Sequence, residues 1–402
     1  MQFKLLNFYK FLSLFATNLV GAFIPLIIYK ATDSLTLAMV YLFCQCLSRI
    51  ICNHIFKNLY QKYPQLFLVL RIIPLTIYNV FLLLIDKYMI LSLILITICY
   101  GMNLSIKGNA GDIIFNYCSD QKKSSSRIAS TRILENISII VSVLSGGLFL
   151  DFNQTALIII SLALYFVSAT PILIYYIINR KSVGFNKDYE SNAVVAYKSD
   201  DVMHKKAKKL GWELMLSFFF IYTLFCIVDN FTNMYNLYLF IDNPTFTKAG
   251  YITALFNFSK TLSLLMFSYL SKKFDIYKVT SISVLLTGAS VLATPYLNSN
   301  ILVALMFIIF GFTYEVASYY MMNSLITRSR IIGVANGALL ARQDGLMAGQ
   351  MISSLFVMCV GSIMPVFYFM MIAMVVFAIY FPISEEVMRK KMVNFLQNNE
   401  IE

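Results

Sequence analysis

The chain has 402 residues, of which 59% are hydrophobic and 13% charged, with a mean hydropathy of +0.73. Soluble domains carry about 25% charged residues, so an ordinary soluble enzyme of this size is excluded. The net charge of +12 would point to nucleic acid in a soluble protein, but here it needs only the bias of basic residues toward the cytoplasmic face of a membrane.

A membrane-spanning helix takes about 20 apolar residues, and apolar runs between charged punctuation predict twelve of them. The first, 8–29, holds Ser13, Thr17 and Asn18 but no ionisable side chain between Phe11 and Tyr29. It outruns an ordinary signal core and lacks a small-x-small cleavage site, so no cleavable signal peptide is expected. The second run, 35–58, carries Arg49. The third, 66–85, carries Arg71 near one end, where it is expected at the membrane interface. The fourth, 88–110, carries Lys107, with Asp112 just over one turn beyond. The fifth, 128–150, carries Arg132 and Glu135, and the sixth spans 155–179.

A polar segment, 180–210, reads as a solvated tether whose lysines touch anionic lipid. Six further runs follow at 211–240, 247–271, 277–296, 300–326, 332–358 and 362–383. They carry Asp229, Lys260, Glu315, Arg342 and Asp344. The expectation is an all-α integral membrane protein with an N-terminal six-helix bundle (1–180), a cytoplasmic linker (181–210), a C-terminal six-helix bundle (211–384) and a cytoplasmic tail (385–402). Long continuous apolar runs, rather than alternating ten-residue segments, exclude a membrane β-barrel.

The connections alternate in charge. With the N-terminus inside, twenty-three Lys and Arg fall on the cytoplasmic side and only Lys30, Lys87 and Lys248 outside. That asymmetry predicts a multi-pass protein of the plasma or inner membrane with both termini cytoplasmic.

The seven cysteines form no C-x-x-C pair, and His54 and His204 are the only histidines. No metal site or cofactor is therefore expected, and the cysteines read as small packing residues. The sequence contains no G-x-x-x-x-G-K-[ST], no H-E-x-x-H and no G-x-S-x-G, which argues against an ATP-driven pump and against an enzyme.

The two halves resemble each other at an offset near 210. Cys46-Leu-Ser-Arg-Ile aligns with Asn257-Phe-Ser-Lys-Thr, placing Ser48 on Ser259 and Arg49 on Lys260; Leu59 meets Leu270, Lys62 meets Lys273, and Arg132 meets Arg342. Six helices per repeat is an even number, so the halves enter the membrane from the same side and are related by an axis along its normal. With this topology the chain resembles the major facilitator superfamily of secondary transporters. The family's loop mark after the second span, G-x-L-a-D-R-x-G-R-R, survives here only as Leu59 and Lys62, echoed by Leu270 and Lys273. The resemblance implies the major facilitator fold, two six-helix bundles around a central cavity, and transport by alternating access.

Ionisable groups at membrane depth are costly and mark pathways. Arg49 lies ten residues before Leu59, about 15 Å along a helix, and Lys260 occupies the same depth in the second half. Arg49, Lys260 and Lys107, with Tyr235, Tyr238 and Tyr314, are the candidate substrate contacts. Glu315, then Asp229, are the candidate proton carriers. Arg132 and Glu135, spaced to share a helix face, are candidate gate residues with Arg342, Asp344 and Asp112; a substrate contact or a structural pair are the other readings. In the family the fifth and eleventh helices border the cavity. The surplus of positive charge favours an anionic or zwitterionic solute. Protons are the expected coupling ion, with sodium open, and membrane lipids the surroundings of what reads as a monomer with no nucleic-acid partner. A multidrug or lipid-like amphiphile exporter, and a receptor or scaffold on a transporter fold, are the alternatives.

Overall fold

A computed structural model describes residues 2–118, 124–179, 201–273, 276–332 and 334–397. Among these the architecture is helical throughout. In chain order, α1 (Gln2–Gly21) and α2 (Ile24–Thr32) form the first span, α3 (Leu35–Lys62) the second, and α4 (Pro64–Leu70) with α5 (Ile72–Leu83) the third. Then come α6 (Met89–Cys118), α7 (Ser124–Phe152) and α8 (Gln154–Asn179). The second half begins with α9 (Asp201–Cys226) and α10 (Phe231–Asp242), joined by a 3-10 turn at Val228–Asn230. It continues through α11 (Phe246–Lys273), α12 (Ile276–Ala293), α13 (Asn300–Ile332), α14 (Ala335–Val360) and α15 (Met364–Gln397). Two helices overrun the edges read from apolarity: α9 starts at Asp201, inside the expected linker, and α15 continues through the expected tail.

Ten stretches of the described residues are long and apolar enough to cross a membrane by length and composition. The expected eighth and eleventh spans, α11 and α14, are not among them. Both carry polar side chains at depth: Asn257 and Lys260 on α11, Arg342, Gln343, Asp344 and Gln350 on α14. Both also lie against the opposite half, α11 along α7 and α14 along α3, where protein rather than lipid receives those groups.

Three spans are broken rather than continuous. In the first, Pro25 sits at the start of α2; it has no N–H, and its ring clashes with the carbonyl of Gly21 in a continuing helix. The third breaks at Arg71, three residues before Pro74. The seventh breaks at Ile227–Asn230 without a proline; there Asn230 Nδ2 donates to the Gln350 carbonyl (2.9 Å) and to Ser353 Oγ (3.0 Å). The breaks in the first and seventh spans fall at matching places in the two halves.

Within the halves the pairings repeat. The first helix of each packs on the fifth and sixth, and the second on the fourth. The alignment of Ser48 with Ser259 has a packing cause. Ser48 Oγ donates to the Ile98 carbonyl (3.2 Å), and Ser259 Oγ to that of Ile308. The facing residue is glycine in both: a Cβ on Gly101 would lie 2.8 Å from the Gln45 carbonyl oxygen, and one on Gly311 2.5 Å from that of Phe256.

The even number of spans puts residues 2 and 397 at one end, here the terminal end, where Lys391 Nζ of α15 meets Glu213 Oε2 of α9 at 2.7 Å within the second half. At the opposite, distal end the halves are in contact. Phe23 meets Phe246 edge-on with centroids 6.1 Å apart, Tyr29 meets Phe240 at 6.4 Å, and Lys30 Nζ lies 5.3 Å over the Phe246 ring.

Candidate functional site

Midway along the interface, α7 of the first half faces α11 and α13 of the second. Arg132 Nη1 on α7 donates to Glu315 Oε1 on α13 at 2.8 Å, and Lys260 Nζ on α11 stands 3.7 Å from Glu315 Oε2. Glu315 is 4% exposed, so one buried carboxylate is held between a cation from each half. Aromatic faces cover the cations: Lys260 Nζ lies 5.1 Å from the Phe256 centroid and 5.8 Å from that of Tyr314, and the Arg132 guanidinium 5.9 Å from that of Tyr319.

Tyr314, the residue before Glu315, carries the polar chain onward. It stacks on Phe225 at 4.7 Å and donates to Asp229 Oδ1 at 2.7 Å. Asp229 sits in the break of the seventh span and also accepts from Gln350 Nε2 on α14. Gln350 Oε1 accepts in turn from Cys46 Sγ of the first half at 3.3 Å. Glu315 and Asp229, the two candidate proton carriers, thus lie in adjoining parts of one network that crosses the interface twice.

The second crossing runs along α3 and α14. Arg49 Nη1 is 3.6 Å from Met347 Sδ, Asn53 Nδ2 donates to Gln343 Oε1 at 3.5 Å, and His54 Nε2 is 2.9 Å from Asp344 Oδ2. Arg342 points elsewhere, its guanidinium 5.4 Å from the Tyr222 centroid within its own half. Two residues along a helix turn by about 200°, so Arg342 and Asp344 face different neighbours. Arg132 and Glu135 also part company: Glu135 Oε1 lies 3.3 Å from Lys10 Nζ on α1.

Lys10, Arg49, Arg71, Lys107 and Glu135 line a cavity of about 160 Å³ in the first half, toward the terminal end. Arg49 and Lys260 therefore do not meet in one described cavity; one lines this pocket and the other pairs with Glu315. Arg71 corrects the interfacial expectation. It is 2% exposed and donates to Asn103 Oδ1 (2.5 Å), Tyr9 Oη (3.2 Å), Thr17 Oγ1 (3.3 Å) and Ser13 Oγ. Spans one and four supply enough oxygens to satisfy the guanidinium in place.

Tyr235 is 3% exposed, within an aromatic cluster of Phe231, Phe307 and Phe367, and Tyr238 packs on its edge. Among the tyrosine candidates only Tyr314 joins the polar network. The backbone of α6 includes Asp112, whose side chain lies outside the described ones. Among the described residues no His, Cys, Asp and Glu cluster could hold a metal ion.

Sequence reasoning missed Asp151. At the distal end of α7 its Oδ1 accepts from the Phe246 backbone N–H (2.9 Å), and Oδ2 from the N–H (2.9 Å) and Oγ1 (2.5 Å) of Thr247. One half thereby caps the first turn of α11 in the other. The backbones come close because Gly147 and Gly250 face each other's helices; a Cβ on Gly250 would sit 2.6 Å from the Val143 carbonyl oxygen. The signal was present as Gly146-Gly147 four residues before Asp151. Gln343 and Gln350 were likewise not singled out, and His54 entered only in the count of histidines.

No family model matches the sequence, and no curated protein does. Solved structures match in fold. A bacterial homologue of the iron transporter ferroportin, crystallised in an inward-facing state, aligns with a TM-score of 0.66 at 13% identity, over 96% of this chain and 98% of that one. The nucleoside transporter NupG aligns at 0.64 and 13%, over 95% and 98%. The fucose:proton symporter FucP of E. coli aligns at 0.56 and 12%, also over 95% and 98%. At near-complete coverage of both partners, these matches give the chain the all-α, multi-span fold of the major facilitator transporters.

Proposed function

We propose that the protein is a secondary transporter that moves a small organic solute, anionic or zwitterionic, by alternating access, coupled to protons through Glu315. The observation that carries this reading is the buried carboxylate of Glu315 between Arg132 of one half and Lys260 of the other. A proton on Glu315 removes the negative charge that ties Arg132 across the interface. Breaking a buried ion pair by neutralising one partner costs about 3–5 kcal/mol, enough to change which arrangement of the halves is preferred. Asp229, held by Tyr314 and Gln350, is the second protonation site.

The gate falls on residues whose partners lie across the interface, Arg132 with Glu315 and Asp344 with His54. Glu135 and Arg342 support it from within their own halves. Positive-inside asymmetry places the terminal end in the cytoplasm of a plasma or inner membrane. The fold neighbours include a protein named as a proton symporter, so the architecture accommodates proton coupling.

The test is proton flux in liposomes holding the purified protein, with anionic, zwitterionic and cationic solutes added in turn. A solute-dependent flux is expected with one of the first two classes. Glu315→Gln should reduce it to the protein-free background, while Glu386→Gln, at an exposed pair with Lys390, should leave it unchanged. Flux with lipophilic cations alone, or a Glu315→Gln variant as active as the parent, would overturn the proposal.

A further inference from the structure

The fifth and eleventh spans carry arginines at repeat-related positions, Arg132 on α7 and Arg342 on α14. Arg132 Nη1 meets Glu315 Oε1 at 2.8 Å. Arg342 instead stands over the Tyr222 ring, 5.4 Å from its centroid, and its Nε is buried with no hydrogen-bond partner. The acid two residues on, Asp344, is turned to His54. Among the described residues no carboxylate pairs with Arg342.

Tyr222 brings the two arginines together. It is 1% exposed, and its Oη is buried without a hydrogen-bond partner. Both Arg342 and Arg132 act electrostatically on that hydroxyl, so a cation from each half approaches the same phenol. Close packing fixes the arrangement: a Cβ on Gly345 of α14 would lie 2.6 Å from the Phe219 carbonyl oxygen and 3.0 Å from Tyr222 Cβ on α9. A guanidinium carries five N–H donors and no acceptor. Whatever Arg342 gives to the phenol oxygen, the Tyr222 O–H still needs an acceptor, and so does Arg342 Nε. Arg132 has N–H groups beyond the one on Glu315 and keeps 22% of its side chain exposed, while Arg342 is half-buried. Three side chains thus present donors here, at a depth where an unmade hydrogen bond is costly.

We infer that Arg342, the Tyr222 hydroxyl and the free edge of Arg132 form a clamp for the oxyanion of the transported solute, a carboxylate or phosphate group held from both halves at once. The inference rests on the transport reading above and names the group that the carrier recognises. Oxyanions are the strongest acceptors for a guanidinium, whose planar fork takes two of their oxygens. Water satisfies such donors only until a stronger acceptor enters. A solute held between repeat-related arginines touches both halves, which lets its binding bias their arrangement. It also competes with Glu315 for Arg132; a Glu315 released by Arg132 keeps Lys260, 3.7 Å away. An oxyanion can arrive as a free solute or as a lipid headgroup, and the burial of Tyr222 favours the solute.

The test is binding, which needs no transport. Purified protein in uncharged detergent and chloride-free buffer is titrated with succinate, lactate and inorganic phosphate, with succinamide as the neutral control, reading melting temperature and heat of binding. At least one anion should stabilise the protein and succinamide should not. Arg342→Gln should weaken binding by about tenfold or more, the loss expected of a charged hydrogen bond. Tyr222→Phe keeps the ring under Arg342 and removes one O–H, so it should cost roughly threefold to tenfold. Glu315→Gln should tighten binding, because Arg132 is no longer shared, an effect that a merely structural Arg342 would not produce. If Arg342→Gln does not fold, Tyr222→Phe and Glu315→Gln decide.

Stabilisation by phosphatidylglycerol alone, without competition from the soluble anions, would assign the chemistry to lipid and overturn the proposal. So would the absence of binding by all three anions, or binding indifferent to the three variants. Anion binding that depends on Arg342 and Tyr222, without solute-coupled proton flux, would sink the transport reading and leave the clamp standing. Flux with an unchanged half-saturating concentration of solute in Arg342→Gln would do the reverse.

Discussion

Arg71, Arg132 and Glu135 show what a charge at depth requires. Each was legible as an ionisable residue within an apolar run, and their partners were not, because partner choice depends on which face meets which neighbour. Arg71 was read as interfacial from its place near a span end; in the fold, Ser13, Thr17, Tyr9 and Asn103 converge on it. Arg71→Leu should therefore lower stability by roughly 3 kcal/mol, since it strands several buried polar groups. Arg49→Leu, at a half-buried cavity wall, should cost much less. Melting of the two purified variants side by side checks this, and equal losses would contradict the structural role given to Arg71. The pairing of Arg132 with Glu315 spans 183 residues, beyond any local spacing rule. The choice of Glu315 rested on depth alone.

Among the elements, helix existence was the most legible part, since a run of twenty apolar residues has few alternatives in a membrane. Breaks were less so. Pro25 and Pro74 are sequence signals for two of them, but the turn at Val228–Asn230 is held by α14 and has no local cause. The distal contact between α7 and α11 depends on both chemistry and space. Asp151→Ala removes a helix cap, a loss of about 1 kcal/mol, and acts only while the halves are closed there. Gly250→Leu drives a side chain into the Val143 carbonyl and should prevent that closure outright. Both should raise maleimide labelling of a cysteine placed at Phe23, in a background without the native cysteines, with Gly250→Leu the stronger. Unchanged labelling in both would mean that this contact does not hold the distal end shut.

At the scale of the whole molecule, the repeat seen in a few residues recurs as geometry. Ser48 and Ser259, Gly101 and Gly311, and the broken first and seventh spans occupy matching places in two bundles. The halves meet along two equivalent seams, α3 with α14 and α7 with α11. Two similar bodies on symmetric seams can rock between arrangements of comparable energy, and the charge on Glu315 biases the choice. The measurement that tests this most directly is a pair of spin-label distances in lipid nanodiscs. One pair, at Ala31 and Asn243, reports the distal end, and the other, at Asn58 and Arg389, the terminal end. Glu315→Gln, as a mimic of the protonated state, should shift the two distances in opposite directions, one widening as the other narrows. Distances that stay fixed, or that change together, would contradict an alternating-access carrier governed by this carboxylate.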